Sequence, residues 1–192
     1  MSLAKIKKIE QVQVRKDGSF RLIVISDTHS LPHPRAFELI KGLQPDAILH
    51  AGDVGEHTVL DEFSVICPLF AVRGNIDTTS LALPDTLIFE ICSIEELLLR
   101  ILTVHVGIYG HRLRSEVALI ARTENASLVV CGHSHIPFIG SDRGIAVFNP
   151  GSIGPRRFGL PIVFGLLQLD SSGVRLSHID CETGLAWRPP GR

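Results

Sequence analysis

The sequence predicts an α/β fold, and three observations carry that reading. Between Leu22 and Val72, short apolar runs alternate with segments of helical spacing in the order strand, helix, strand, helix, strand, which is the pattern of a parallel sheet covered by helices. From Leu87 onward strands predominate, separated by Gly, Asp and Ser turns, so the second half is expected to be antiparallel. The 192 residues are enough for one well-buried core and too few for two comfortable domains. Residues 1–192 are therefore read as one domain, with 1–20 as an N-terminal extension and 183–192 as a loose tail.

Each element has its own signal. The alternation Gln11-Val12-Gln13-Val14 followed by Lys16-Asp17-Gly18 reads as a strand and turn leading into the first buried strand, Leu22 to Ile25. Pro32 and Pro34 delay the next helix, for which Ala36, Phe37, Leu39, Ile40 and Leu43 supply the buried stripe. Ala47 to His50 is a second strand, His57 to Phe63 a helix, and Cys67 to Val72 a third strand. Leu87 to Ile91 and Leu97 to Val104 read as two strands joined by a turn at Ser93 to Glu95, Arg112 to Arg122 as a helix, and Ser127 to Cys131 as a strand. Ile136 to Ile139, Gly144 to Phe148, Pro161 to Leu169 and Val174 to Ile179 complete the strands.

Composition narrows the function classes. Hydrophobic residues make up 45%, charged residues 20%, and the formal net charge is -1. This is ordinary globular composition with no general electrostatic grip on nucleic acid or anionic lipid. Four scattered cysteines without a CxxC pair read as buried reduced thiols of a cytoplasmic protein, and no apolar run is long enough for membrane insertion. Nine histidines in a chain with one Trp, one Tyr and one Met point to metal chemistry.

The carboxyl ends of parallel strands form the ligand crevice of an open α/β sheet, and here each carries a donor. The run LIVISDTHS ends in Asp27 and His29, which can share a face of an extended backbone. HAGD supplies Asp53, RGNID supplies Asn75, the strand ending near Val104 supplies His105, and GHSH supplies His133 and His135. These seven are expected on one side of one sheet and suffice for two metals sharing a carboxylate. Gly52, Gly74 and Gly132 each precede a proposed ligand, where a residue without Cβ permits a tight turn and close approach.

The ordered series Asp27-x-His29, Gly52-Asp53, Gly74-Asn75, His105, Gly132-His133-x-His135, with Asn149-Pro150-Gly151-Ser152 behind it, resembles the calcineurin-like metallophosphoesterase superfamily. The likeness is strongest to its small YfcE/VPS29-like branch and covers roughly residues 21–182. It implies a four-layer α/β/β/α sandwich of two mixed sheets flanked by helices, with a two-metal centre between the sheets. It places Asp27, His29 and His135 on one ion and Asn75, His105 and His133 on the other, with Asp53 bridging. The implied activity is phosphoester hydrolysis, phosphodiester before monoester, by in-line attack of a bridging hydroxide without a phosphoenzyme. Asp53, Asn75 and His133 carry the chemistry, and Asn75 and Arg73 face the substrate phosphate. Mn, Fe, Zn or Ni suit the ligand set, with Mn favoured.

Two positions depart from the pattern. Many active relatives have His after Gly-Asn, as a proton donor to the leaving oxygen, whereas this chain has Ile76, so slow turnover of poor leaving groups is expected. Val106 follows His105 where relatives often carry Gly, which narrows the cleft. The branch also offers an alternative, a protein-interaction scaffold or a regulatory metal-binding protein with little turnover. His33 and His57 are loop residues near the ligands, His50 a hydrogen-bonded core residue, and His111 and His178 surface or strand positions. Arg156 and Arg157, like Arg73, are candidates to face the substrate phosphate but default to solvated side chains, and Asn149 to Ser152 default to a turn tying the second sheet to the metal loops. The expected partner is a small phosphodiester or phosphomonoester; the charge balance argues against nucleic acid and leaves a homo-oligomer open.

Overall fold

A computed structural model describes residues 6–77 and 82–189. In chain order the elements are β1 (Lys7–Gln13), β2 (Phe20–Ile25), α1 (Ala36–Gly42), β3 (Ala47–His50), α2 (Thr58–Ser64), β4 (Leu69–Ala71), β5 (Thr86–Cys92) and β6 (Leu97–Val104). They continue with β7 (Ile108–Tyr109), β8 (Arg112–Leu113), α3 (Ser115–Thr123), β9 (Leu128–Val130), β10 (Phe138–Asp142), β11 (Ile145–Asn149), β12 (Val163–Asp170), β13 (Gly173–Asp180) and β14 (Ala186–Trp187).

The large strands form two six-stranded sheets, one ordered β1-β5-β6-β9-β11-β10 and the other β14-β13-β12-β2-β3-β4. Strict side-chain alternation decides what each face touches. In β2, Leu22 and Val24 enter the core between the sheets, where Phe89, Ile101, Val130 and Phe148 meet them. Ile23 and Ile25 point the other way, onto Ala36 and Ile40 of α1 and Val59 and Phe63 of α2. On the opposite flank Ile88, Leu102 and Val129 pack against Val117, Ala118 and Ala121 of α3. The layers are thus helix, sheet, sheet, helix, and the α/β sandwich of two mixed sheets is the observed architecture.

The chain differs from the sequence expectations in four places. The second half is not an antiparallel unit: β6 runs parallel to β9 and β9 to β11, while β12 crosses back to pair antiparallel with β2 in the other sheet. Helix α3 lies between β6 and β9 in sequence, and such a crossover allows parallel pairing. Second, β1 does not lead into β2 as a neighbouring strand. The turn closed by Arg15 N–H to Ser19 C=O redirects the chain, and β1 pairs in parallel with β5, from Lys7 opposite Thr86 to Gln13 opposite Cys92. Third, Arg112 and Leu113 are not helical; they close a hairpin on Ile108 and Tyr109 around Gly110 at φ 61°, and the Asp142 carboxylate accepts the Leu113 N–H. Fourth, within the segment expected to be a loose tail, Ala186 and Trp187 pair with Ile179 and His178.

All four cysteines are free thiols, three buried and Cys67 half-buried. Among the described residues no helix is long and apolar enough to cross a membrane.

Candidate metal centre

The strands β2, β3 and β4 of one sheet and β6, β9 and β11 of the other end where the two sheets meet, because each trio is internally parallel or joined through parallel pairs. The donors therefore leave two sheets, not one. Asp27, His29, Asp53 and Asn75 come from the first, and His105, His133 and His135 from the second.

The loops carrying these donors have unusual backbone geometry. Asp27, His29, Asp53, His133 and His135 all have positive φ, between 47° and 68°. Such conformations are uncommon for residues with a Cβ and persist only where surrounding contacts impose them. The preceding glycines act chiefly by close approach. A Cβ on Gly74 would collide with the backbone and carboxylate of Asp53, and one on Gly132 would collide with the Ser26 hydroxyl. Only Gly52 of the three combines such a collision, against His105, with a positive φ of 93°.

Two clusters result among the described residues: Asp27 with His29 and His135, and Asp27 with Asp53 and His105, each with donor atoms within 4.8 Å of one another. His29 Nε2 and His135 Nε2 stand 3.4 Å apart. His135 Nε2 lies 3.3 Å from Asp27 Oδ1, a buried oxygen without a hydrogen-bond partner. Asp53 sits between the two sides, with Oδ1 3.2 Å from His105 Nε2 and Oδ2 3.8 Å from His29 Nε2. Asp53 thus offers one oxygen toward each side, while the carboxylate common to both clusters is that of Asp27. Buried polar groups are ordinarily paired, so converging lone pairs and an orphaned carboxylate oxygen fit a cation site.

Supporting contacts aim these donors. His105 Nδ1–H donates to Ala51 C=O at 2.8 Å, which turns Nε2 toward the Asp53 carboxylate. The Asp27 Oδ2 atom accepts from Ser26 Oγ at 2.6 Å and from the His133 N–H at 3.0 Å. Burial works to raise the Asp53 carboxyl, but the hydrogen bond and charge of His105 outweigh it and hold the group well below the usual carboxylate range. For His105, burial opposes protonation, yet Asp53, the Asp27 charge and Ala51 C=O together push the imidazole up. His29 is pushed down, first by burial and then by the charge of Arg157.

His133 and Asn75 are exposed at the rim. The His133 ring lies edge-on to His105 with centroids 5.3 Å apart, while Asn75 lines a cleft of about 300 Å³ with His105, Val106, Arg73 and Arg114. Arg73 reaches this cleft already engaged, its Nε donating to Asp85 Oδ1 at 2.8 Å. Ile76 is 47% exposed, and its N–H donates to Asp53 Oδ1.

Several supporting residues escaped the sequence reading. Asp77 is buried and accepts N–H groups from Val54, Gly55 and Gly74, so one carboxylate ties the loop after β3 to the loop after β4. Its presence two residues after Asn75 was the only available signal. His178 is a strand residue, as expected, but a buried one; its Nε2–H donates to Asn149 C=O, while the Asn149 amide donates to Gly132 C=O and Ser134 Oγ. Ser152 Oγ donates to Asp27 C=O, so the Asn149 to Ser152 turn does tie the sheets together at the centre. His50 is the buried, hydrogen-bonded histidine anticipated, accepting from Gly52 N–H and bonded to Thr28 Oγ1. His33 accepts from Arg35 N–H and His57 is exposed before α2, so neither acquires a contact with the donors. Arg157, expected to be merely solvated, places Nη2 3.2 Å from His29 Nε2.

Comparison with known proteins agrees with this geometry. Residues 20–172 match the calcineurin-like phosphoesterase superfamily domain. A probable metallophosphoesterase of Methanocaldococcus jannaschii is 33% identical over 169 residues, covering 85% of this chain and 83% of the relative. Among solved structures, YfcE, a phosphoesterase from E. coli, superposes with a TM-score of 0.56 at 22% identity, covering 88% of this chain and 97% of its own. Wild-type Vps29 from Entamoeba histolytica, complexed with Zn²⁺, gives 0.61 at 21% identity, covering 84% and 99%. With the family profile spanning most of the chain and the donor series in place, this protein belongs to the calcineurin-like phosphoesterase superfamily.

Proposed function

We propose that the protein is a two-metal phosphoesterase that prefers diesters, with Asp27, His29 and His135 holding one divalent ion, Asn75, His105 and His133 the other, and Asp53 between them. The observation that carries this reading is the convergence of carboxylate and imidazole donor atoms, above all the orphaned Asp27 Oδ1 facing His135 Nε2. Manganese is the favoured ion, with iron, zinc and nickel compatible with the same donors. When bound, such ions lower the pKa of a water, orient the phosphate and offset developing charge during an in-line displacement.

Among the described residues, the hydroxyls and thiol on the strand ends beside the donors are not available as nucleophiles. Ser26 Oγ is committed to Asp27 Oδ2, Thr28 Oγ1 is buried between His50 and Val54 C=O, and burial pushes the Cys131 thiol up to about 12. This supports direct attack of water on phosphorus, without a phosphoenzyme. The exposure of Asn75 and His133 at the rim supports a role in orienting the phosphate, and Arg73 lines the same cleft as Asn75. Small phosphodiesters and activated monoesters are the expected substrates, in a cytoplasmic setting that suits four free thiols.

A second reading, an interaction scaffold or metal-binding regulator with little turnover, is favoured by the exposed aliphatic Ile76 where a proton donor is expected. One set of assays decides between them: metal content of protein purified without chelator, and hydrolysis of bis(p-nitrophenyl) phosphate with Mn or Ni, against Asp53→Asn. A loss of about 100-fold or more in the variant is expected. Equal rates for the two proteins would remove the catalytic reading.

A further inference from the structure

The segment Pro155 to Leu160 is not needed by either sheet, yet it is built with care against the metal centre. Gly154 lies so close to Asp27 and Thr28 C=O that any Cβ there would collide with them. Ser152 Oγ accepts from Gly154 N–H at 3.1 Å, and Ile153 C=O accepts from His33 N–H at 2.6 Å. Beyond these anchors Arg156 turns away from the centre, donating to Leu160 C=O at 2.8 Å and pairing with Glu182. Leu160 N–H closes the turn on Arg157 C=O.

This bracing fixes the position of the next two residues. Arg157 aims its guanidinium at His29 Nε2, 3.2 Å away, on the very side where His29 faces His135 and Asp53. A permanent cation aimed at a cation-binding site is repelled unless an anion lies between them, and the planar guanidinium fork is suited to two oxygens of one phosphate. Phe158 follows with φ 51° and is 98% exposed. Left-handed backbone in a bulky residue is strained, and an aromatic ring left in water forgoes the burial that normally stabilises it. Three further apolar side chains stand exposed within two residues of a site residue: Leu31 after His29, Ile76 after Asn75 and Ile136 after His135.

We propose that this loop is a substrate clamp, in which Arg157 grips the non-bridging phosphate oxygens and Phe158 covers an aromatic, nucleobase-like arm retained on the ester. The inference rests on the phosphoesterase reading and narrows its substrate class to diesters with one flat apolar arm. Neither residue is among the seven proposed donors, and because Arg157 touches His29 Nε2 the metal content of its variants is measured alongside.

The test uses manganese-loaded wild-type protein, Arg157→Gln, Arg157→Lys and Phe158→Ala. Titration calorimetry with inorganic phosphate should show roughly tenfold or greater weakening in Arg157→Gln, the loss expected for a charge-assisted hydrogen bond, and only partial recovery in Arg157→Lys. Metal content and melting temperature should match wild type. Phe158→Ala should leave phosphate affinity unchanged and raise KM about fivefold or more for the p-nitrophenyl ester of thymidine 5′-monophosphate, as expected for lost base stacking. KM for methyl p-nitrophenyl phosphate should not move. Unchanged phosphate affinity in metal-loaded Arg157→Gln, or equal KM changes for both esters in Phe158→Ala, would overturn the clamp while leaving the phosphoesterase reading standing. Wild-type protein that takes up no manganese would overturn both.

Discussion

Ile76 and Gly132 show how single residues set the behaviour of the centre. Ile76 occupies an exposed position beside Asn75 and contributes only its backbone N–H to Asp53. Ile76→His should raise monoester turnover by about 100-fold or more, the lower range of general-acid assistance, read as kcat on p-nitrophenyl and then alkyl phosphates. A folded, metal-loaded variant with no gain would show that proton donation is not what limits the enzyme. Gly132 touches Ser26 and Asp27 with no room for a methyl group. Gly132→Ala should therefore weaken manganese binding by about 10- to 100-fold, measured by metal titration, with Gly42→Ala as a control since open space surrounds that helical position. The donor types were legible because Asp, His and Gly recur at strand ends. The strain was not: glycines looked like the residues that turn the chain, whereas the left-handed φ falls mainly on the donors themselves. Arg157 was legible only as one of several arginines that could meet a phosphate, because its contact with His29 spans 128 positions and no local pattern encodes it.

Among elements, the loops after β3 and β4 behave as one unit through Asp77. Its carboxylate accepts three backbone N–H groups, at 3.1 Å from Val54, 3.0 Å from Gly55 and 2.7 Å from Gly74. Asp77→Ala should cost about 3 kcal/mol by chemical denaturation, since three buried donors lose a charged acceptor. Manganese affinity should fall with it, because Asp53 and Asn75 lie on the loops so joined. A variant as stable as wild type would show that water replaces the carboxylate without loss. The apolar runs predicted most strands closely, β3 and β6 to the residue. Their neighbours were harder to foresee because pairing is non-local: nothing within β12 says that it will leave β11 and lie beside β2. The β7 and β8 hairpin was hidden for another reason, since Arg112 and Leu113 carry the helical spacing that α3 continues.

For the whole molecule, buried neutral histidines make stability depend on pH. Burial pushes His50 down to about 4 from an ordinary 6.5, and pushes His178 down as well. Because the unfolded chain takes up these protons first, the contribution of these two histidines to stability is full above pH 6.5 and is lost as pH falls from there toward 4. The His50 share is about 3 kcal/mol. Guanidinium unfolding at pH 7 and pH 5 should show the decline, and His50→Gln should flatten it; the same decline in both proteins would assign it elsewhere.

The parallel pairing of β1 with β5 has a consequence for solubility. Thr86 to Cys92 reads TLIFEIC, a run with one charge and no proline, which is the composition of a self-associating strand. The neighbour that covers its edge is Lys7-Lys8-Ile9-Glu10, largely exposed and charged, which makes a poor template for a second molecule. Removing residues 1–13 would leave the metal donors untouched while uncovering the backbone of β5. The shortened protein should still bind manganese when dilute but form aggregates as its concentration rises, visible by light scattering.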